Sequence, residues 1–516
     1  MKLNQLKWGV VLGYLQLFLT IIIGLVYSPI MIGLLGQSEY GLYQTVISAV
    51  STLNLLNLGF NAGYVRWFSK YKSENRQKDI DRLNGIFLSI FVLLGVIAFL
   101  GGWLLTYNLH IIYDQGLTEA EYQLAQTLTF IASINIALTF FTTPFFTIIT
   151  ANERFVFVKT VRLVISILTP IFTLILLYAG FKSIALVIVT LILALATLAF
   201  DVGYVFKVLK NRFCFKGFEK GVFSRLFGFT FFIALNLIVD QINGSVDKIL
   251  LGRFQGTAQV AIYSVGFSLY SYYLTLSTSI SGVFTAKIHK IIAETRENLA
   301  QQKRKVTDLF TRVGRIQFMV LGLFLTGLVL FGKLFIVHFW VGPEYENSYY
   351  VMIILALSGT IPLTQNLGIE IQRALNKHKF RSILYACMAV VNVLVSIPLC
   401  KAYGAVGATL GTAISFVLVN TLLMNVYYQK ACNIRVLEYW KNILSILKAF
   451  VVPILFGVLL INLLDLSQIH WFIVGVFSYT AVYCASLWFF GMNDNEKSLI
   501  QKPLNKIWGR FSHAAR

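Results

Sequence analysis

Three asparagines, Asn54, Asn57 and Asn61, stand three and four residues apart inside an otherwise apolar run that leads to Arg66. That spacing lines one face of a helix with amides. A second run carries Asn236, Asp240, Gln241, Asn243 and the pair Asp247-Lys248, and a third carries Gln365, Asn366, Glu370, Gln372 and Arg373. Amides at helical spacing hydrate or bind a polar molecule; they do not attack bonds. Within hydrocarbon such groups must face a cavity or one another, so each is either a lining residue or glue between helices. Asp240 is the carboxyl best placed to couple a conformational change to an ion, since a carboxyl withdrawn from water trades its charge for a proton more readily. A structural hydrogen bond is its other reading, and Asp201 is a second candidate of the same kind.

Bond-making chemistry has no comparable footing. The chain lacks GxxxxGK[ST], so ATP hydrolysis is not expected. His110, His289, His338, His378, His470 and His513 fall in loops or at helix ends, unpaired with cysteines or carboxylate motifs. Cys214, Cys387, Cys400, Cys432 and Cys484 are scattered and form no CxxC. Neither a metal site, a disulfide framework nor a nucleophile elbow is expected, and the chain reads as a non-enzyme without a cofactor.

The elements that must position the polar runs follow from composition. Hydrophobic residues make up 57% of the 516 residues and charged ones 13%, more apolar surface than a soluble core can hide. Of the 43 Lys and Arg, 38 fall in eight polar segments that alternate with seven nearly free of them. Cationic loops stay cytoplasmic, so this alternation predicts an all-α polytopic membrane protein with fourteen transmembrane helices and both termini in the cytoplasm. The expected spans are 10–32, 43–65, 83–107, 123–149, 160–180, 183–206, 226–246, 258–283, 316–339, 349–369, 383–400, 405–427, 447–464 and 470–490. The first stretch lacks a cleavage site and reads as a retained helix. The net charge of +21 is spread over loops, which points to anionic lipid at the inner leaflet rather than nucleic acid. Over 284–315, Ile288, Ile292, Leu299, Val306, Leu309 and Val313 recur at helical spacing among cationic residues, predicting an amphipathic helix at the inner surface. It would tether two halves or gate the cytoplasmic opening.

The chain also repeats itself. Leu34-Leu35-Gly36 and Gly41-Leu42-Tyr43 return as Leu250-Leu251-Gly252 and Ala261-Ile262-Tyr263. Ala151 to Phe155 (ANERF) returns as Ala374 to Phe380 (ALNKHKF), and Tyr178-Ala179-Gly180 as Tyr403-Gly404-Ala405. An offset of six helices gives two repeats of the same orientation, as alternating access requires. The expected organisation is an N-lobe over 1–206, a cytoplasmic linker over 207–225 and a C-lobe over 226–430. Two further helices follow over 431–490, and then a cytoplasmic tail over 491–516.

The stretches LLGQSEYGLYQTVIS and NLGFNAGYVRWFSKY resemble the N-terminal signature of bacterial polysaccharide flippases of the Wzx type. VDKILLGRFQGTAQVAIYSVG, WVGPEYENSYY and YGAVGATLGTAIS are similar to later segments of that family, which belongs to the multidrug/oligosaccharidyl-lipid/polysaccharide exporter superfamily. The resemblance implies two lobes like those of the multidrug exporters, and movement of an undecaprenyl-pyrophosphate-linked oligosaccharide from the inner to the outer leaflet of the bacterial inner membrane. It implies the bilayer and a polysaccharide polymerase with its chain-length machinery as partners, and drive from a proton or sodium gradient, the membrane potential or consumption of product. An anionic head group then needs a polar path. Asn54, Asn57, Asn61, Asn236 and Gln241 are its expected lining, and Arg66 and Arg373 meet the phosphates or, alternatively, anchor to lipid head groups. Glu39, Asp247, Lys248 and Arg253 would close the outer mouth by ion pairs. A multidrug exporter, a lipid II flippase and a membrane polymerase or acyltransferase are the rival readings. The last would be expected to show a large outer loop or a His/Arg cluster, and the sequence has neither.

Overall fold

The computed structural model describes residues 5–111, 113, 117–215, 234, 237–239, 241, 244–499 and 501. Among them there are helices and turns but no strand. The α-helices are, in order, α1 (Gln5–Leu35), α2 (Gln37–Ser51), α3 (Phe60–Ser73), α4 (Gln77–Tyr107), α5 (Glu119–Ala151) and α6 (Phe155–Tyr178). Next come α7 (Lys182–Gly203), α8 (244–254), α9 (Thr257–Gly282), α10 (Thr285–Glu294), α11 (Leu299–Leu334) and α12 (Glu346–Thr364). The last six are α13 (Leu367–Ala374), α14 (His378–Ser415), α15 (Met424–Lys430), α16 (Val436–Leu444), α17 (Val451–Leu463) and α18 (Ile469–Ser486).

Ten helical stretches among the described residues are long and apolar enough to cross a bilayer, which makes the protein a multi-pass membrane protein. One of them, Lys379–Lys430, is 52 residues long and holds two of the expected crossings. They meet at Gly404, whose φ of 55° and ψ of −133° interrupt the helix. The expected crossing over 226–246 lies largely outside the described residues, and α9 covers that over 258–283.

Two expectations change. The crossing over 43–65 is not one helix: α2 ends at Ser51, a 3-10 turn runs Thr52–Asn57, and Leu58 (φ 46°) and Gly59 (φ 70°) adopt left-handed backbone before α3 begins. Asn54 and Asn57 therefore eclipse on a three-residue repeat while Asn61 belongs to the next helix, so the three do not share one α-helical face. The segment 284–315 is likewise divided. Only α10 stands alone, its Ile288 and Ile292 buried, while 299–315 is the opening of α11. The Asn298 side chain accepts a hydrogen bond from the Gln301 amide at 2.9 Å and so starts that second helix.

The chain folds as two compact units, Met1–Ser264 with Ser382–Gly411, and Val265–Arg381 with Thr412–Arg516. In the first, α4 lies along α5 where Gly95 and Gly102 leave no room for a β-carbon against Phe141 and Ser133. Its aromatic core includes Tyr64, Phe68, Phe87, Phe91 and Phe140. In the second, α18 and the 3-10 turn Leu447–Phe450 that precedes α17 pack on α11 through Phe331, Phe450, Tyr479 and Tyr483. Tyr479 donates to Thr326 Oγ1 at 2.6 Å and Tyr483 to the Met319 carbonyl at 2.8 Å.

Candidate functional site

In the first unit the tips of α2 and α9 meet. Each helix follows a glycine in left-handed conformation, Gly36 (φ 77°) and Gly256 (φ 82°), which lets the chain reverse within a residue or two. A β-carbon on Gly41 would lie 1.8 Å from the Thr257 carbonyl oxygen, so backbone touches backbone there. Ser38 Oγ lies 2.8 Å from Thr257 Oγ1 and donates to Glu121 Oε1 at 2.7 Å. A hydroxyl has one proton, so Thr257 donates to Ser38 and Ser38 to the carboxylate. Further along α2, Gly252 faces Thr45, Lys248 Nζ donates to Gln44 Oε1 at 3.2 Å, and Gln241 Nε2 donates to Ser51 Oγ and Ser245 Oγ at 2.8 and 2.7 Å. Apart from Lys248 and Glu121, the side chains that bond along the seam are neutral: Ser38, Gln44, Ser51, Gln241, Ser245 and Thr257.

The four expected gate residues flank this seam. Glu39, 13% exposed, accepts from the Ser183 amide at 2.8 Å and the Ser183 hydroxyl at 2.6 Å, and pairs with Lys182 Nζ at 3.7 Å. Asp247 is buried and accepts from the Tyr263 hydroxyl at 2.8 Å. Arg253 sits 5.9 Å from the centroid of the Phe254 ring, against which Lys401 also lies, at 4.6 Å.

The expected lining residues are spread more widely. Asn54 and Arg66 are exposed, and Asn57 is half-buried with an Oδ1 that has no hydrogen-bond partner among the described residues. Asn61 Oδ1 accepts from Thr147 Oγ1 on α5 at 3.3 Å. Asn236, Asp240 and Asn243 lie outside the described residues. In the second unit Arg373, 59% exposed, donates to Glu370 Oε1 at 2.6 Å, and His289 Nε2 stands 3.9 Å from the other oxygen of Glu370. Asp201 is buried on α7. Among the described residues no three His, Cys, Asp or Glu gather to hold a metal.

Two polar clusters extend beyond the residues that the sequence singles out, which include only Gln365 and Asn366 of the first. Around the break between α12 and α13, Ser277 Oγ donates to the Leu363 carbonyl and receives Gln317 and Asn366, while Gln365 and Trp440 both donate to Asn425 Oδ1. Pro362 beside Gln365-Asn366 was the available signal. Arg315 and Glu496 form a bidentate pair at 2.6 and 2.9 Å that is almost fully buried. Their separation along the chain, 181 residues, left no signal.

This architecture is shared with known transporters. The chain is similar to the lipid II flippase MurJ in its inward closed conformation, with 16% identity, 96% of this chain and 99% of that one covered, and a TM-score of 0.67. It is similar to an inward-facing multidrug resistance MATE family transporter of the MOP superfamily at 12% identity, covering 80% of this chain and 99% of that one, TM-score 0.60. A MOP superfamily transporter from Pyrococcus furiosus matches at 14% identity over 84% of this chain and 96% of that one, TM-score 0.57. At these identities the likeness is one of fold. These relatives are flippases and transporters, not enzymes. No curated protein sequence matches the chain significantly. A family model described as polysaccharide biosynthesis protein matches residues 9–286, just over half the chain. With that match and this transporter fold, the chain belongs to the polysaccharide biosynthesis protein family.

Proposed function

We propose that the protein flips an undecaprenyl-pyrophosphate-linked oligosaccharide from the inner to the outer leaflet of a bacterial inner membrane, by alternating access between two repeated lobes. The observation that carries this reading is the interruption of an expected crossing at Thr52–Gly59. Irregular backbone at membrane depth is tolerated where protein or water satisfies it, and here it holds Asn54 and an Asn57 oxygen without a partner among the described residues. That is a neutral, hydratable path suited to a sugar head group, with Arg66 beyond it for phosphate. Arg373 would meet phosphate by exchanging Glu370 for it. The seam of α2 with α8 and α9 is the closed outer mouth in this reading, with Glu39, Asp247, Lys248 and Arg253 around it. Asp240 is the proposed coupling carboxyl for a proton or sodium gradient. The termini are cytoplasmic, and a polysaccharide polymerase takes the product.

Likeness to the lipid II flippase favours a second substrate, lipid II itself. No arginine precedes Arg66 in this chain, which argues for the oligosaccharide. Purified protein in liposomes, supplied with either fluorescent glycolipid, tests both. Protein-dependent arrival of the oligosaccharide head group in the opposite leaflet is expected. Movement of lipid II alone would transfer the assignment, and movement of neither would end it.

A further inference from the structure

Two turns in the first unit are built alike. Lys182, with φ of 49°, precedes Ser183 near the start of α7, and Gly404, with φ of 55°, precedes Ala405 at the start of the second arm of α14. In both, the residue after the left-handed one offers a backbone N–H that its helix cannot satisfy. Both N–H groups find a side-chain oxygen from the first turn of another helix. The Ser183 amide meets Glu39 of α2 at 2.8 Å, and the Ala405 amide meets Gln259 Oε1 of α9 at 3.0 Å. Glu39 is the third residue of α2 and Gln259 the third of α9. Lys182 and Ser183 stand 222 residues before Gly404 and Ala405, and Glu39 stands 220 before Gln259. The two contacts are therefore one contact, repeated.

We infer that Glu39 and Gln259 are equivalent clasps, positioning residues that fix the tips of α2 and α9 by capping the turns at Ser183 and Ala405. The clasps are chemically unequal. Glu39 is an acidic side chain that accepts twice from Ser183 and is backed by Lys182, whereas Gln259 accepts once as a neutral amide. Bonds to a charged acceptor are roughly twice as strong as neutral ones, so the α2 tip is held harder than the α9 tip. Glu39 thereby holds its neighbour Ser38 where Thr257 can reach it.

Cross-linking in membranes tests this with the full chain. Ser38→Cys with Thr257→Cys replaces two hydroxyls 2.8 Å apart and reports tip contact as an oxidative disulfide. In that background Glu39→Ala is expected to slow cross-linking about tenfold or more, and Gln259→Ala roughly two- to tenfold, the spans set by charged and neutral hydrogen bonds. Glu39→Gln is expected to recover most of the parental rate, because the second turn already uses an amide. Parental cross-linking in Glu39→Ala overturns the clasp. Glu39→Gln behaving like Glu39→Ala overturns the equivalence with Gln259. Ser183→Ala removes one donor without touching Glu39, and it replaces Glu39→Ala if that variant fails to accumulate: slowing supports the clasp and a parental rate refutes it. No substrate enters this assay, so its failure and that of the flippase reading are separate events.

Discussion

Removing the Arg315 charge should unfold the packing of α11 against α16 and the segment around Glu496 at a markedly lower temperature. All five guanidinium donors are used: two on Glu496, two on the Asn442 carbonyl and Ser445 Oγ, and one on the Gly491 carbonyl. Glu496 is held in turn by the Asn493 amide at 2.9 Å. The side chains are 7% and 3% exposed, so Arg315→Met strands a carboxylate out of reach of bulk water. Breaking one partner of a buried pair costs about 3–5 kcal/mol. At roughly 2–4 °C per kcal/mol for a body of this size, the thermal midpoint should fall by about 6–20 °C. Arg315→Met with Glu496→Leu removes both charges and should recover only part of this. The Asn442 and Gly491 carbonyls and the Asn493 amide then lose partners worth about 1–3 kcal/mol each where water cannot replace them. The assay is the temperature at which detergent-purified protein leaves the monodisperse peak, at one fixed heating rate. A midpoint for Arg315→Met within about 2 °C of the parent would refute the reasoning, as would a double variant worse than the sum of the singles.

Other substitutions probe other links. Gly41→Leu cannot fit beside the Thr257 carbonyl; it should abolish Ser38→Cys/Thr257→Cys cross-linking at normal protein abundance, and a parental yield would show that α2 and α9 do not meet. Tyr64→Phe removes the donor to Asn84 Oδ1 at 2.7 Å, a buried acceptor, and should cost about 1–3 kcal/mol in the same thermal assay. Lys182→Gly relieves a left-handed non-glycine worth about 1–2 kcal/mol and loses an exposed ion pair worth about 0–1 kcal/mol, so stability should hold or rise slightly. Arg66→Glu and Arg373→Glu should each suppress surface polysaccharide without lowering protein abundance, and normal polysaccharide in both would remove the phosphate assignment.

The polytopic helical architecture was legible because lipid imposes it: long apolar runs and cationic loops leave few alternatives. The repeated clasp has the offset of the match between Gly41-Leu42-Tyr43 and Ala261-Ile262-Tyr263, whereas the match of Tyr178-Ala179-Gly180 with Tyr403-Gly404-Ala405 is out of register with the paired turns. What hydropathy conceals is where a helix stops inside an apolar run. The break at Thr52–Gly59 turns on Leu58 adopting φ of 46°, which no apolar periodicity announces, so the asparagine spacing suggested a face that the backbone does not build. The partners of Glu39 were hidden for another reason. Opposite charges in one region of sequence invite pairing with one another, yet Glu39 found an unsatisfied helix amide and the lysine beside it.

The two clasps also differ from most intramembrane polar contacts in what they do under voltage. Carrying one elementary charge through the full membrane field involves about 2.3 kcal/mol per 100 mV. Glu39 travels with Lys182, and Gln259 with a backbone amide, so each clasp has no net charge to move. Displacing either tip along the membrane normal therefore does almost no electrical work while the contacts stay made. In the proposed cycle, the membrane potential would then act on the substrate's phosphates and on a coupling ion without biasing these helix tips.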